Sequence, residues 1–381
     1  MNLFRIYLIV FLADVVLGIF LPIFPLYALS IGASVFLISL LVSATGFSNV
    51  IGQLYLGNIS DKIGRKPIMI MGALFFILSS FIFTIIKIPY LLILPSLLHG
   101  FGIILFVVAA AYVADVSKSN ELDKNMGKLM ASQGVGFSIG PIIGGYVSDL
   151  WGFIPAYYLC SIFSFFALLL ILGLQESGNV SVSTEHEKLL SKAIRILRRK
   201  SVLSLSIMGI LVMFAFRGIQ IFVPILGSEL NMSLSLIGLI LGARTVGSTA
   251  ARIPAGYLSQ YSGRKNLLFL SLLFIISSYF LLSFFSSLEF ILLSVCLEGI
   301  GFGIFFTITQ SFLMSISKKS ERATTFALFS LVGWPLQTGL LMVLGFVGEL
   351  VELSVIFLIG AIVTSLLGIA SSYLLYRSDD D

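Results

Sequence analysis

Asp14, His99, Arg217, Arg244, Arg252 and Glu298 stand inside long apolar stretches of this sequence. A charge held at such a place costs on the order of 3 kcal/mol on membrane-insertion scales, so each is a candidate for moving protons or holding a ligand. Asp14, His99, Arg244 and Glu298 lie about ten residues into their stretches, which at about 1.5 Å per residue puts them about 15 Å deep. Arg244 and Glu298, at similar depth, can neutralise each other, as a structural pair first and as substrate ligands second. Asp14 has no permanent cation at its depth, only the titratable His99. A carboxyl left unpaired in low dielectric can take up and release a proton near neutral pH. Asp14 is therefore expected to be the proton-coupling group, with His99 either its partner or a satisfied interior histidine. Gln220, Gln310 and Gln337 offer hydrogen bonds to a ligand, and Phe216, Phe222, Phe305, Phe306 and Trp334 offer stacking faces. With 34 Phe in the chain, plain packing accounts for most such aromatics.

Enzyme chemistry leaves no trace. The sequence has no HExxH, no Walker loop and no cysteine cluster. Cys160 and Cys296 sit alone in apolar segments and read as packing residues. No enzyme activity, cofactor or metal is expected, nor ATP-driven pumping by this chain alone.

The elements that must carry these residues follow from composition. Of 381 residues, 58% are hydrophobic and 11% charged, where a soluble domain carries about 25% charged residues. The mean hydropathy is +1.09. A spanning helix needs roughly 20 apolar residues, and such stretches occur near 3–29, 34–57, 66–86, 89–114, 126–148, 153–174, 201–227, 233–258, 265–286, 289–316, 323–347 and 352–376. The first is too long for a cleaved signal core. The expected fold is an all-α membrane protein of twelve transmembrane helices.

Lys and Arg alternate between loops. They cluster at Arg5, at Lys62, Arg65 and Lys66, at Lys118, Lys124 and Lys128, between Lys188 and Lys200, at Arg264 and Lys265, at Lys318, Lys319 and Arg322, and at Arg377; the opposite loops hold only Lys87. By the positive-inside rule both termini are cytoplasmic, so the net charge of +5 is a topology signal rather than a sign of nucleic acid. Arg217 then lies toward the outer third of its span and Arg252 toward the cytoplasmic end. Residues 175–200 form the one long polar connection, separating a six-helix bundle at 1–174 from a second at 201–381 with a short cytoplasmic tail. Within it, 185–200 has Leu189, Leu190, Ala193, Ile194 and Leu197 at helical spacing, which fits a basic amphipathic helix on the inner leaflet or a solvated linker.

The two halves repeat. GNISDKIGRK (57–66) follows the second span and GYLSQYSGRK (256–265) follows the eighth. Duplicated halves point to a transporter with its substrate site between them. Here the chain resembles the major facilitator superfamily over its whole length. That family's loop signature appears as Gly57, Ile59, Asp61, Lys62, Gly64, Arg65 and Lys66, with Ile in place of Leu. Gly57 would let helices approach and Gly64 would permit a tight turn. The resemblance implies that Asp61, Arg65 and Asp115 close a cytoplasmic gate. Gly263, Arg264 and Lys265 form the weaker second copy, with Gln260 where an acid would stand.

GKLMASQGVGFSIGPIIGG (127–145) is similar to the family's antiporter signature, in Gly127, Gly136, Gly140, Pro141, Gly144 and Gly145. The first span, LADVVLGIFLPIFPLY (12–27), resembles that of drug exporters. Gly100 and Gly102 match the fourth helix of proton-coupled members, but Ser96 stands where they carry an Arg, so that role does not transfer. The resemblance implies two pseudo-symmetric six-helix bundles, with Asp14, His99, Arg217 and Glu298 on cavity-lining helices. It implies a monomer in the cell membrane that exports hydrophobic or amphiphilic molecules against protons by alternating access. A proton-coupled importer or facilitator of a sugar, organic acid or lipid-like substrate is the alternative, and a non-transporting receptor the reading of another class.

Overall fold

The computed structural model describes residues 2–118, 121–177, 199–316 and 322–377, and over these the backbone is helical with no strand. A backbone in hydrocarbon must satisfy its own hydrogen bonds, which helices do within a single segment. The first half contains α1 (Asn2–Ser30), α2 (Val35–Ile63), α3 (Arg65–Ile85), α4 (Ile93–Gly102), α5 (Ile104–Val116), α6 (Leu122–Trp151) and α7 (Phe153–Leu172). The second contains α8 (Lys200–Glu229), α9 (Leu234–Ser262), α10 (Arg264–Phe284), α11 (Leu288–Ile316), α12 (Arg322–Val347) and α13 (Leu353–Tyr376). A short 3-10 turn at Pro89–Leu92, α4 and α5 together make the fourth crossing, interrupted at Ile103.

Among the described residues, ten helical stretches are long and apolar enough to span a membrane. α6 is 30 residues long but opens with LDKNMGK and is rich in Gly and Ser. α12 has a shorter apolar part, Leu336–Val347. Several helices outrun the expected apolar spans: α2 continues to Ile63 and α9 to Ser262. Hydropathy registers only the lipid-soluble part of a helix, whereas hydrogen bonding continues until a breaker intervenes. Glycines at φ +102° (Gly64) and φ +76° (Gly263) separate α2 from α3 and α9 from α10. Any β-carbon would strain that backbone. Turns of the same kind thus stand at equivalent places in the two halves.

Packing repeats as well. α3 lies against α4, α5 and α7, and α10 against α11 and α13, so the third crossing of each half supports the fourth and sixth. The chain forms two compact units, Met1–Ser183 with Pro224–Gly242, and Thr184–Val223 with Ala243–Asp381. The 224–242 turn joins the first unit because α6 touches it closely. A β-carbon on Gly145 would stand 2.9 Å from the Gly238 Cα. The Asp149 carboxylate accepts from the Leu234 amide at 3.2 Å and from the Ser235 hydroxyl at 2.7 Å. The stretch 185–198, Lys318 and Lys319 lie outside the described residues, as do the side chains of Arg322 and Trp334.

Candidate functional site

Asp14 stands where α1 meets α6, and glycines at intervals of four make that meeting close. A β-carbon on Gly136 would lie 3.1 Å from the Asp14 Cβ, and one on Gly140 would lie 2.5 Å from the Gly18 Cα and 2.7 Å from the Val15 carbonyl oxygen. One on Gly144 would lie 3.0 Å from the Ile19 Cα. Backbone therefore rests on backbone over about two turns. Pro141 flanks the crossing, its Cδ 2.9 Å from where a Gly18 β-carbon would be. Asp14 is 7% exposed, and its Oδ2 is buried with no hydrogen-bond partner among the described residues. A β-carbon on Gly127, at the start of the same motif, would meet nothing within 4 Å among the described residues, and the same holds at Gly57, where the expected helix approach is not found.

His99 is buried between α1 and α3. Its ring stacks on Phe20 at 3.8 Å between centroids and meets the edge of Phe76 at 5.0 Å. Its Nδ1 lies 3.2 Å from the Ser79 hydroxyl. Phe20 shares α1 with Asp14. Ser96 is fully buried.

In the second unit Arg244 of α9 and Glu298 of α11 make a buried two-bond ion pair. Arg244 Nε donates to Oε2, and Nη2 donates to Oε1 at 2.9 Å. The guanidinium also sits over Phe216 at 4.4 Å and Phe302 at 5.2 Å. Arg244 and Glu298, expected from the sequence at similar depth, are thus brought together, and Phe302 flanks them, a contact the sequence does not announce. Arg217 is half-buried beside Phe216 at 5.8 Å. Gln220 and Gln337 are buried, the Gln220 Oε1 without a hydrogen-bond partner among the described residues, and Gln310 is half-buried. Phe222 and Phe305 are buried packing residues, Phe222 against Phe357.

At the α2–α3 turn Arg65 gathers carboxylates from two helices. It pairs with Asp61, donates from Nε to the Asp115 Oδ2 at 2.9 Å, and reaches the Ser60 hydroxyl at 3.1 Å. Lys62 is exposed beside this cluster. Lys66 Nζ donates to the carbonyls of Leu172 and Leu174 at 2.7 and 2.9 Å, tying α3 to the end of α7. In the second copy Arg264 instead donates to the Ser315 hydroxyl of α11 at 2.7 Å. Both acids of the first copy are thus replaced by neutral groups, Gln260 for Asp61 and Ser315 for Asp115, while Lys265 is half-buried.

Sequence reasoning missed Glu176. Its carboxylate accepts the Arg65 amide at 2.6 Å and the Lys66 amide at 3.2 Å, so it caps α3 from beyond the end of α7. Ser177 adds a hydroxyl to Asp115 at 3.0 Å. The signal was an acid standing directly after an apolar span, close to a basic loop. Glu176→Gln removes the charge that complements the helix N-terminus, worth about 1 kcal/mol. Hydrogen exchange at the first amides of α3 should then accelerate about fivefold, read by mass spectrometry on peptides covering 60–70; unchanged exchange would refute the capping role.

The Major Facilitator Superfamily model matches the chain twice, over residues 6–226 and 205–381. The chain is 23% identical over 337 residues, 86% of each chain, to an uncharacterized MFS-type transporter of Methanocaldococcus jannaschii. It is 31% identical over 159 residues to the quinolone resistance protein NorA of Staphylococcus aureus, a match spanning 41% of either chain. The solved nucleoside transporter NupG superposes with a TM-score of 0.86 at 16% identity, covering 98% of this chain and all of that one. With its repeated glycine turns at 64 and 263, its glycine-built α1–α6 contact and a family model matched over residues 6–381, the chain belongs to the Major Facilitator Superfamily.

Proposed function

We propose that this chain exports hydrophobic or amphiphilic small molecules in exchange for protons, with Asp14 as the proton-carrying group. The observation that carries the reading is the Asp14 carboxyl, buried on α1 with one oxygen unpaired among the described residues and pressed against Gly136 of the exchange motif. A carboxylate in that setting is costly when charged and acceptable when protonated. Protonation would therefore alter how α1 and α6 fit together, which is the kind of differential contact that coupling requires. The partial likeness to a quinolone resistance protein supports export.

The working cycle is alternating access by two six-helix bundles, 1–174 and 201–381, joined through a cytoplasmic linker at 175–200. The protein acts as a monomer in the cell membrane with both termini in the cytoplasm. Arg65, Asp61, Asp115 and Glu176 hold the inner gate shut in one state, and His99 assists Asp14. Arg217, Gln220, Arg244, Glu298, Gln310, Trp334 and Gln337 contribute to substrate binding.

The test is proton movement in liposomes holding the purified protein under an imposed pH gradient. Adding substrate should release protons from the acidic side, and Asp14→Asn should abolish that release while leaving substrate binding measurable. Full pH-driven transport by Asp14→Asn would overturn the assignment, and substrate flux without proton movement would make the protein a facilitator.

A further inference from the structure

The interior of the second unit is unbalanced in charge. Among the described residues, the middles of its helices hold three guanidiniums, Arg217, Arg244 and Arg252, and one carboxylate, Glu298. Glu298 takes both of its hydrogen bonds from Arg244. Arg252 makes no hydrogen bond or ion pair among the described residues, and its Nε is buried without a partner. Arg217 likewise makes neither among those residues. An uncompensated cation in an apolar interior is costly, and a protein retains one where a ligand completes it.

The arginines are ordered by aromatic rings. Phe216 of α8 stacks on Phe302 of α11 at 4.9 Å, and Phe302 stacks on Phe306, one turn on, at 6.0 Å. Arg217 lies by the first ring at 5.8 Å, Arg244 faces the first and second at 4.4 and 5.2 Å, and Arg252 lies over the third at 5.5 Å. Helical spacing produces the ladder: Glu298, Phe302, Phe306 and Gln310 recur every four residues on α11, and Arg244 and Arg252 are eight apart on α9. Phe216, Arg217, Phe302, Phe306 and Arg252 are each half-buried, so one side of the ladder is accessible.

We propose that this ladder binds planar aromatic carboxylates, with Arg252 holding the anionic group at one end, the phenyl rings holding the apolar body, and Arg217 at the other end adding only longer-range attraction. Guanidinium forks match carboxylates in two-bond geometry, and aromatic faces accept flat ring systems. Arg244, already occupied by Glu298, fixes the rings between the two ends. The proposal rests on the transporter reading above and narrows its substrate class from amphiphiles in general to organic anions.

The test uses the full chain in lipid nanodiscs and three probes of one shape: 1-naphthoate, neutral 1-naphthamide and cationic 1-naphthylmethylammonium, with binding measured by calorimetry. Naphthoate should bind at least tenfold tighter than the other two. R252Q should weaken naphthoate about tenfold and R217Q by no more than about twofold, with naphthamide unchanged in both. Thermal unfolding should show both variants as stable as the parent or more so, because each removes an unpaired cation. Equal binding of the three probes, naphthoate binding unaffected in R252Q, or an equal loss in R217Q, would overturn the proposal. Flux of the same probes in proteoliposomes separates the two readings. Proton-coupled flux of the cation without naphthoate binding removes the ladder and keeps the exchanger. Naphthoate binding of the predicted pattern with no flux of any probe keeps the ladder and removes transport.

Discussion

Replacing Gly140 by valine is expected to abolish the folded first unit or to destabilise it by at least about 3 kcal/mol, the range of severe overpacking. The reason is geometric. The first added carbon would already stand 2.5 Å from the Gly18 Cα, 2.7 Å from the Val15 oxygen and 2.8 Å from the Gly18 carbonyl carbon. All three atoms are backbone, so no rotamer change can make room, and α1 and α6 must separate. Separation would also free Asp14 from Gly136, so under the proposed proton exchange any surviving protein should lose coupling along with stability. Gly127→Ala provides the control. It alters the same motif at a place with nothing within 4 Å, and it replaces a helix residue that is costly by about 1 kcal/mol relative to Ala. It should be neutral or slightly stabilising. Thermal unfolding of both variants in detergent, followed by size-exclusion recovery, checks the pair. Equal tolerance at 127 and 140 would mean that the α1–α6 contact is looser than described.

Glu298→Ala is the second large effect. It strands the Arg244 guanidinium among Phe216, Phe302 and apolar helix surfaces, and removing one partner of a buried pair costs about 3–5 kcal/mol. Removing both charges should cost far less, since an apolar pair of similar volume can replace a buried ion pair with little change. The double variant Arg244→Met, Glu298→Met is therefore expected to recover most of the stability lost in Glu298→Ala. Unfolding midpoints for Arg244→Met, Glu298→Met and the double, arranged as a cycle, measure the coupling. Additive effects would show that the pair is not energetically linked. If the double variant is stable yet fails to bind or move substrate, the pair also serves the substrate, either directly or by holding Phe216 and Phe302 in place.

Much of this architecture is legible without coordinates, because a membrane simplifies the code. Apolar runs of sufficient length must become helices, as for α1 and α13, and Gly at 64 and 263 marks the turns that interrupt them. Where the rule weakens, so does its reading. α6 is too rich in Gly, Ser and charge to announce itself by hydropathy, and its motif identified it instead. The fourth crossing reads as one span but breaks at Ile103. There Gly102 packs against the Phe76 ring, its added β-carbon 2.7 Å from that ring, and average hydropathy does not register such a contact.

Composition and spacing along the chain suffice for the class of protein, the duplication, the position of each buried charge along its helix, and the pairing of Asp61 with Arg65 at the α2–α3 turn. These depend on residue type, on rise per residue and on local spacing. Which neighbour each deep side chain meets is set by tertiary packing. It turned Asp14 toward Gly136, set His99 on Phe20, brought Glu176 from beyond α7 onto the α3 amides, and threaded Arg252 onto the ring stack of Arg244. Depth follows from counting along one helix. Partnership depends on the rotation of two helices about their own axes and on their separation, and both are set by contacts between residues far apart in the chain.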